Sequence, residues 1–140
     1  MSESITIIQN EYATLVYHPD TKIVHHTFLK PIGGDAYRNV LDTGAKILKE
    51  NKASKWLSDD RENSAISSDD SIWSKDDWFP RAVRAGWKYW ALIVPQDIMA
   101  RMNMKQFVDS YLDQGLRIMV FSKPEKAMEW LINCDQQKKQ

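Results

Sequence analysis

Two adjoining β-rich runs open this chain, which then alternates three times between helical and strand periodicity and ends on a helix. Residues 12–17 (Tyr-Ala-Thr-Leu-Val-Tyr) and 22–29 (Lys-Ile-Val-His-His-Thr-Phe-Leu) are dense in β-formers, and His18-Pro19-Asp20-Thr21 between them carries turn chemistry. That pairing predicts a hairpin, with Ile5-Thr6-Ile7-Ile8 as a short strand before it. Each later strand is separated from the last by a helix. Such connections are too long for hairpins and are the length of crossovers, so the later strands are expected to run parallel. The predicted fold is α/β: a mixed sheet with an N-terminal antiparallel hairpin and βαβ crossovers. At 140 residues it is expected to be one domain, large enough to bury a core without disulfides or metal.

The helical segments are marked by apolar spacing. Tyr37, Val40, Leu41, Gly44, Ala45 and Leu48 recur at three and four residues after Gly33-Gly34-Asp35. Ser74-Lys75-Asp76-Asp77 reads as the cap of a helix carrying Trp78, Phe79, Ala82 and Val83, which Gly86 stops. Residues 97–114 read as helical with a break near Asn103, and Ser122-Lys123-Pro124-Glu125 as the capping box of the last helix. Lys55-Trp56-Leu57-Ser58, residues 87–94 and residues 116–121 read as buried strands. Residues 59–77 read as a long acidic, serine-rich loop, and 136–140 as a frayed polar tail.

Charge is balanced overall, with 19 basic and 19 acidic side chains, which argues against nucleic acid as a partner. The balance is not local: residues 55–78 are net −4, and residues 79–140 are net +4. No apolar run approaches the ~20 residues of a membrane span, so no stable membrane insertion is expected. Residues 1–10 lack the features of a signal peptide, which makes the cytoplasm the expected location. A single cysteine, Cys134, excludes an internal disulfide framework and reads as a packed thiol.

The chain resembles the SpoIIAA-like, or STAS-like, domains related to anti-sigma-factor antagonists. The resemblance rests on the opening hairpin, on Gly86-Trp87-Lys88-Tyr89-Trp90-Ala91-Leu92-Ile93-Val94-Pro95, and on Val120-Phe121-Ser122 followed by Glu125-Lys126-Ala127-Met128-Glu129-Trp130-Leu131. It covers about residues 12–131 and implies an α/β sandwich, usually non-catalytic, that binds protein partners or a small ligand. The antagonists carry a phosphorylatable serine in an Asp-Ser-Ser/Thr-Gly setting. Here Ser58-Asp59-Asp60-Arg61 follows the strand instead, with no serine followed by glycine, so no phosphoacceptor carries over.

Ser58, Asp59, Asp60 and Arg61 are the leading candidates for chemistry, because open α/β sheets bind ligands beyond the carboxyl ends of their strands. The ordinary alternative is a turn in which the acids bond backbone amides and Arg61 pairs with one of them. A phosphorylation receiver is rejected, since no early acidic pair follows the first strand. His25 and His26 point to opposite sheet faces and cannot share a metal, so one inward, bonded histidine and one exposed histidine are expected. Lone imidazole chemistry would need a nearby acid such as Asp59. Trp73 and Trp78 flank the acidic stretch and either fold it onto the body or anchor a partner. Met99 and Met102, with Met104, form an adaptable apolar patch or a core or homodimer helix. No metal or cofactor motif is present, and no cofactor is expected. The leading expectation is a non-enzymatic regulatory or protein-interaction module, acting on an unknown partner or as a homodimer. A small-ligand domain (lipid or nucleotide-like) with a pocket under residues 59–77 is the first alternative, and a hydrolase-type enzyme using Asp59 and Asp60 the second.

Overall fold

The computed structural model describes residues 4–63 and 66–136. Strands β1 (Ile5–Gln9), β2 (Ala13–His18) and β3 (Ile23–Phe28) form an antiparallel meander, and β4 (Lys55–Asp59), β5 (Tyr89–Ile93) and β6 (Arg117–Phe121) extend it in parallel. The spatial order is simply β1-β2-β3-β4-β5-β6. Each crossover therefore steps to the next strand in the same direction. With the right-handed connection that strand twist favours, every crossover helix falls on one face of the sheet. Those helices are α1 (Gly34–Asn51), α2 and α3 (Ser68–Trp73 and Phe79–Arg84), and α4 and α5 (Gln96–Arg101 and Met104–Leu112). Helix α6 (Pro124–Asn133) returns across β4, β5 and β6.

Strand alternation divides the core between the faces. Leu15, Tyr17, Val24, Phe28 and Trp56 meet α1 and the helical segment ending in α3 through Val40, Leu41, Leu48, Trp78 and Phe79, all buried. On the other face Ile23, Leu57, Ala91 and Ile93 meet Ala127 and Leu131 of α6. A third cluster of Leu92, Val94 and Val120 is covered by Ile98, Met99, Met102, Met104 and Phe107. The break expected near Asn103 separates α4 from α5, with the Asn103 side chain accepting from Gln106 N–H to start the second helix. Gly86 follows α3 at φ 120°, a left-handed-side conformation that only glycine takes without strain.

The long-loop reading of 59–77 is corrected. Residues 64 and 65 lie outside the described residues, but from Ser68 the chain is helical. Ser67, not Ser74, is the cap: its hydroxyl accepts from Asp70 N–H. Ser74 begins a π-helical turn, Ser74–Trp78, which runs directly into α3, and Phe79 N–H reaches back to the Ser74 carbonyl. Pro80 gives the physical reason. It has no N–H for the preceding turn and its ring crowds the carbonyl four residues back, so the helix widens there. Two acids of this segment are paired with arginines: Asp70 with Arg38 of α1, and Asp77 with Arg81. The capping box expected at 122–125 is also corrected, since Lys123 occupies the cap without a side-chain bond and Pro124 opens the helix. Of the expected tail, residues 137–140 lie outside the described residues. No described helix is long and apolar enough to cross a membrane.

Candidate functional site

At the carboxyl ends of β3, β4 and β5, a cavity of about 580 Å³ opens between the sheet, α1, the π-helical turn and α5. That is the size range of small-molecule sites. Strand alternation supplies its floor: His26 and Phe28 from β3, Trp90 and Leu92 from β5, and Asp60 just after β4. Tyr37 and Leu41 project from α1, Phe79 from α3, and Phe107 and Tyr111 from α5. Ile66, Ser71, Ser74, Ser110, Gln114 and the exposed Lys75 complete the lining.

The helix above it is pinned by one buried carboxylate. Asp70 accepts from Gly34 N–H at 2.8 Å and from Arg38 Nε at 3.0 Å, and bonds with its cap Ser67. These donors, with the Gly34 amide foremost, hold its carboxyl below the usual aspartate range. Trp73 lies against Tyr37 with ring centroids 6.4 Å apart, and Arg38 sits over its indole.

The polar end of the cavity is a chain of three side chains, from β3, β4 and the residue just after β4. Trp56 Nε1 donates to His26 Nδ1 at 2.9 Å, and His26 Nε2 lies 2.7 Å from Asp60 Oδ1. Trp56 and His26 are buried, while Asp60 reaches the cavity. Indole nitrogen donates only, so His26 Nδ1 must accept and the ring hydrogen belongs on Nε2, directed at Asp60. Burial pushes the Tyr37 phenol up, and the negative charges of Asp60 and Asp70 add to it. Burial does the same to Tyr111.

Ser58 lies beside His26 in the β3–β4 register, so Ser, His and Asp stand together on one face. The wiring is nevertheless not that of a Ser–His–Asp hydrolase. Both His26 nitrogens are engaged, leaving none to accept the Ser58 proton, and Ser58 Oγ instead accepts from Trp90 Nε1 at 2.9 Å.

The run Ser58-Asp59-Asp60-Arg61 is thus split by alternation. Ser58 and Asp60 belong to the cavity side. Asp59 turns to the opposite side and takes a two-pronged bond from Arg61, at 2.9 and 2.7 Å. The acid beside the inward histidine is Asp60 rather than Asp59. The second half of the histidine expectation is corrected: His25 is half-buried, with its Nδ1 3.1 Å from His18 Nε2. Trp78 is core, its Nε1 donating to the Leu41 carbonyl at 2.7 Å. Trp73, Trp78, Met99 and Met102 pack within the body, and none lines the cavity. Cys134 is half-buried, its thiol bonded to the Leu131 carbonyl and pushed up by burial. Among the described residues no cluster of three or more His, Cys, Asp or Glu side chains is placed to hold a metal.

Tyr37, Trp90, Phe107 and Tyr111 were not among the sequence candidates, and His26 entered only as one of the His25/His26 pair. The available signal was alternation, which places Val24, His26 and Phe28 on one face and aims His26 at the strand end where Asp60 stands. Comparison with family models, curated proteins and solved structures gave no match.

Proposed function

We propose that this protein is a STAS-like α/β domain that binds a small organic molecule, without covalent chemistry, in the cavity above β3, β4 and β5. The observation that carries this reading is the coincidence of an aromatic-walled cavity of ligand size with a single buried, tautomer-fixed polar chain at its end. Mostly apolar walls with a few placed polar groups are the usual make-up of such sites. The opening hairpin and the 86–95 and 120–131 segments support the STAS-like assignment. The side chains nominated for partner contacts, Trp73, Trp78, Met99 and Met102, are engaged in packing, so the ligand reading moves ahead of the interaction module.

Native mass spectrometry of gently purified protein tests this. The expected result is a mass excess in the native spectrum that disappears on denaturation. Ser110→Trp, which places an indole in the cavity from the surface of α5, is expected to remove that excess while leaving the thermal transition within a few degrees. An excess undiminished in Ser110→Trp would contradict the site. So would a bare wild-type mass joined to a failure to bind any small aromatic probe.

A further inference from the structure

The cavity's charge pattern names the class of its ligand, an inference that rests on the binding reading above. The Trp56 indole fixes His26 as a neutral imidazole whose Nε2 hydrogen is given to Asp60 Oδ1. A neutral donor orients a carboxylate but does not cancel its charge. Among the described residues no lysine or arginine pairs with Asp60: Arg61, next in the chain, forks onto Asp59 on the other side of the strand. Asp60 thus presents a carboxylate oxygen to the cavity without a protein cation beside it.

Aromatic rings line the same cavity as that charge. Trp90, Phe107 and Tyr111 form a mutually packed trio with centroids 5.2–6.3 Å apart, Trp90 and Tyr111 nearly perpendicular at 88°. Phe28 and Tyr37, also in the lining, lie 5.9 Å apart. Ring faces carry negative quadrupole charge and attract cations, most strongly where water is excluded. The phenols of buried Tyr37 and half-buried Tyr111, both raised by burial, keep their protons and add no second anion. Lys75 is the exception in sign. It is exposed on the π-helical turn, at the mouth, where it suits a ligand whose outer end is neutral or anionic.

We propose that the cavity recognises an organic cation, a protonated amine or a cationic nitrogen ring, with its charge held between Asp60 and the faces of Trp90 and Tyr111. Three single-ring probes of similar size and different charge test it: benzylammonium, benzyl alcohol and benzoate, titrated calorimetrically at pH 7. The expected order is benzylammonium tightest, roughly tenfold ahead of benzyl alcohol, with benzoate weakest. Asp60→Asn keeps the shape and an acceptor for His26. It should shrink the ammonium-to-alcohol difference to about twofold or less, chiefly by weakening benzylammonium. In wild type, added potassium chloride should weaken benzylammonium and leave benzyl alcohol alone, a readout independent of the variant's folding. Equal affinity for ammonium and alcohol, or a preference for benzoate, would overturn the cation assignment while the binding site stands. Failure of wild type to bind any of the three would instead remove the binding reading itself, and this inference with it.

Discussion

Trp56→Ala should lower the stability of the folded protein by about 3–5 kcal/mol, the range found when a large buried ring is deleted. Trp56 is 1% exposed and is the largest fully buried side chain. Its indole sits edge-on to Trp78 at 5.4 Å and beside Trp87 at 5.7 Å, so truncation opens a void that rigid rings on two sides cannot collapse to fill. The same substitution leaves His26 Nδ1 buried without its donor, which adds to the cost. Trp56→Phe separates the two effects, since it keeps a ring and removes only the N–H and part of the volume. It is expected to cost less than half as much and to release His26 from its single tautomer. Gly44 of α1 approaches the opposite side of the ring so closely that a methyl group there would overlap the Trp56 six-membered ring. Gly44→Ala should therefore destabilise by about 1–3 kcal/mol, although glycine to alanine in a helix ordinarily gains about 1 kcal/mol. Urea denaturation of the three variants checks the order. A Gly44→Ala protein more stable than wild type would show that the α1–β4 contact is looser than described.

The second large effect is acid sensitivity from the open side of the sheet. Burial, with the adjoining His18 and His26 next, lowers His25 from the ordinary histidine value to about 4, with Asp59 opposing in the other direction. His18 is lowered as well, by burial. In the unfolded chain a histidine titrates near 6.5. Between pH 6.5 and about 4 the unfolded state therefore holds a proton on His25 that the folded state refuses, and stability falls as pH falls. Above pH 6.5 both states are neutral at this site and the effect vanishes. Across the full window the loss should reach about 3 kcal/mol. Asp70 acts in the same direction but lower down: its depressed value stabilises the fold above the unfolded aspartate range, and that stabilisation begins to be lost only below about pH 4. Urea midpoints at pH 7, 6 and 5 in constant ionic strength isolate the histidine window. His25→Gln should flatten the decline between pH 6.5 and 5. An unchanged wild-type midpoint across that range would contradict the half-buried His18–His25 pair.

The architecture was legible because it depends on period and punctuation. The β2–β3 hairpin, the three crossovers, the break at Asn103 and the stop at Gly86 all follow from apolar spacing and turn residues. The segment after β4 was not, for a specific reason. Serine and aspartate favour loops when judged by composition, but here Ser67 caps a helix, and Trp73, Trp78 and Phe79 fasten it to the body. Tertiary burial decided a segment whose local preference pointed elsewhere. The site was half legible. The strand end at Ser58–Arg61 was the right place, yet only the observed end of β4 shows which acid faces the cavity. The Trp56–His26 and His26–Asp60 bonds join residues about thirty positions apart, a separation that no local pattern encodes. Trp90, Phe107 and Tyr111 have the spacing of core residues. Whether such rings meet each other or a space left for a ligand depends on what is absent opposite them, and periodicity carries no mark of that.

A small molecule that enters the cavity above β3, β4 and β5 is reported by the six tryptophan indole N–H signals from known places. A nitrogen–proton correlation spectrum recorded while benzyl alcohol is titrated in reads each of them at once. Trp90 lines the cavity and should move most, Trp56 one layer beneath should move less through His26, and Trp130, packed with α6 on the far face, should stay fixed. Shifts concentrated at Trp130, or a spectrum in which Trp90 does not respond at saturating probe, would contradict binding in the cavity.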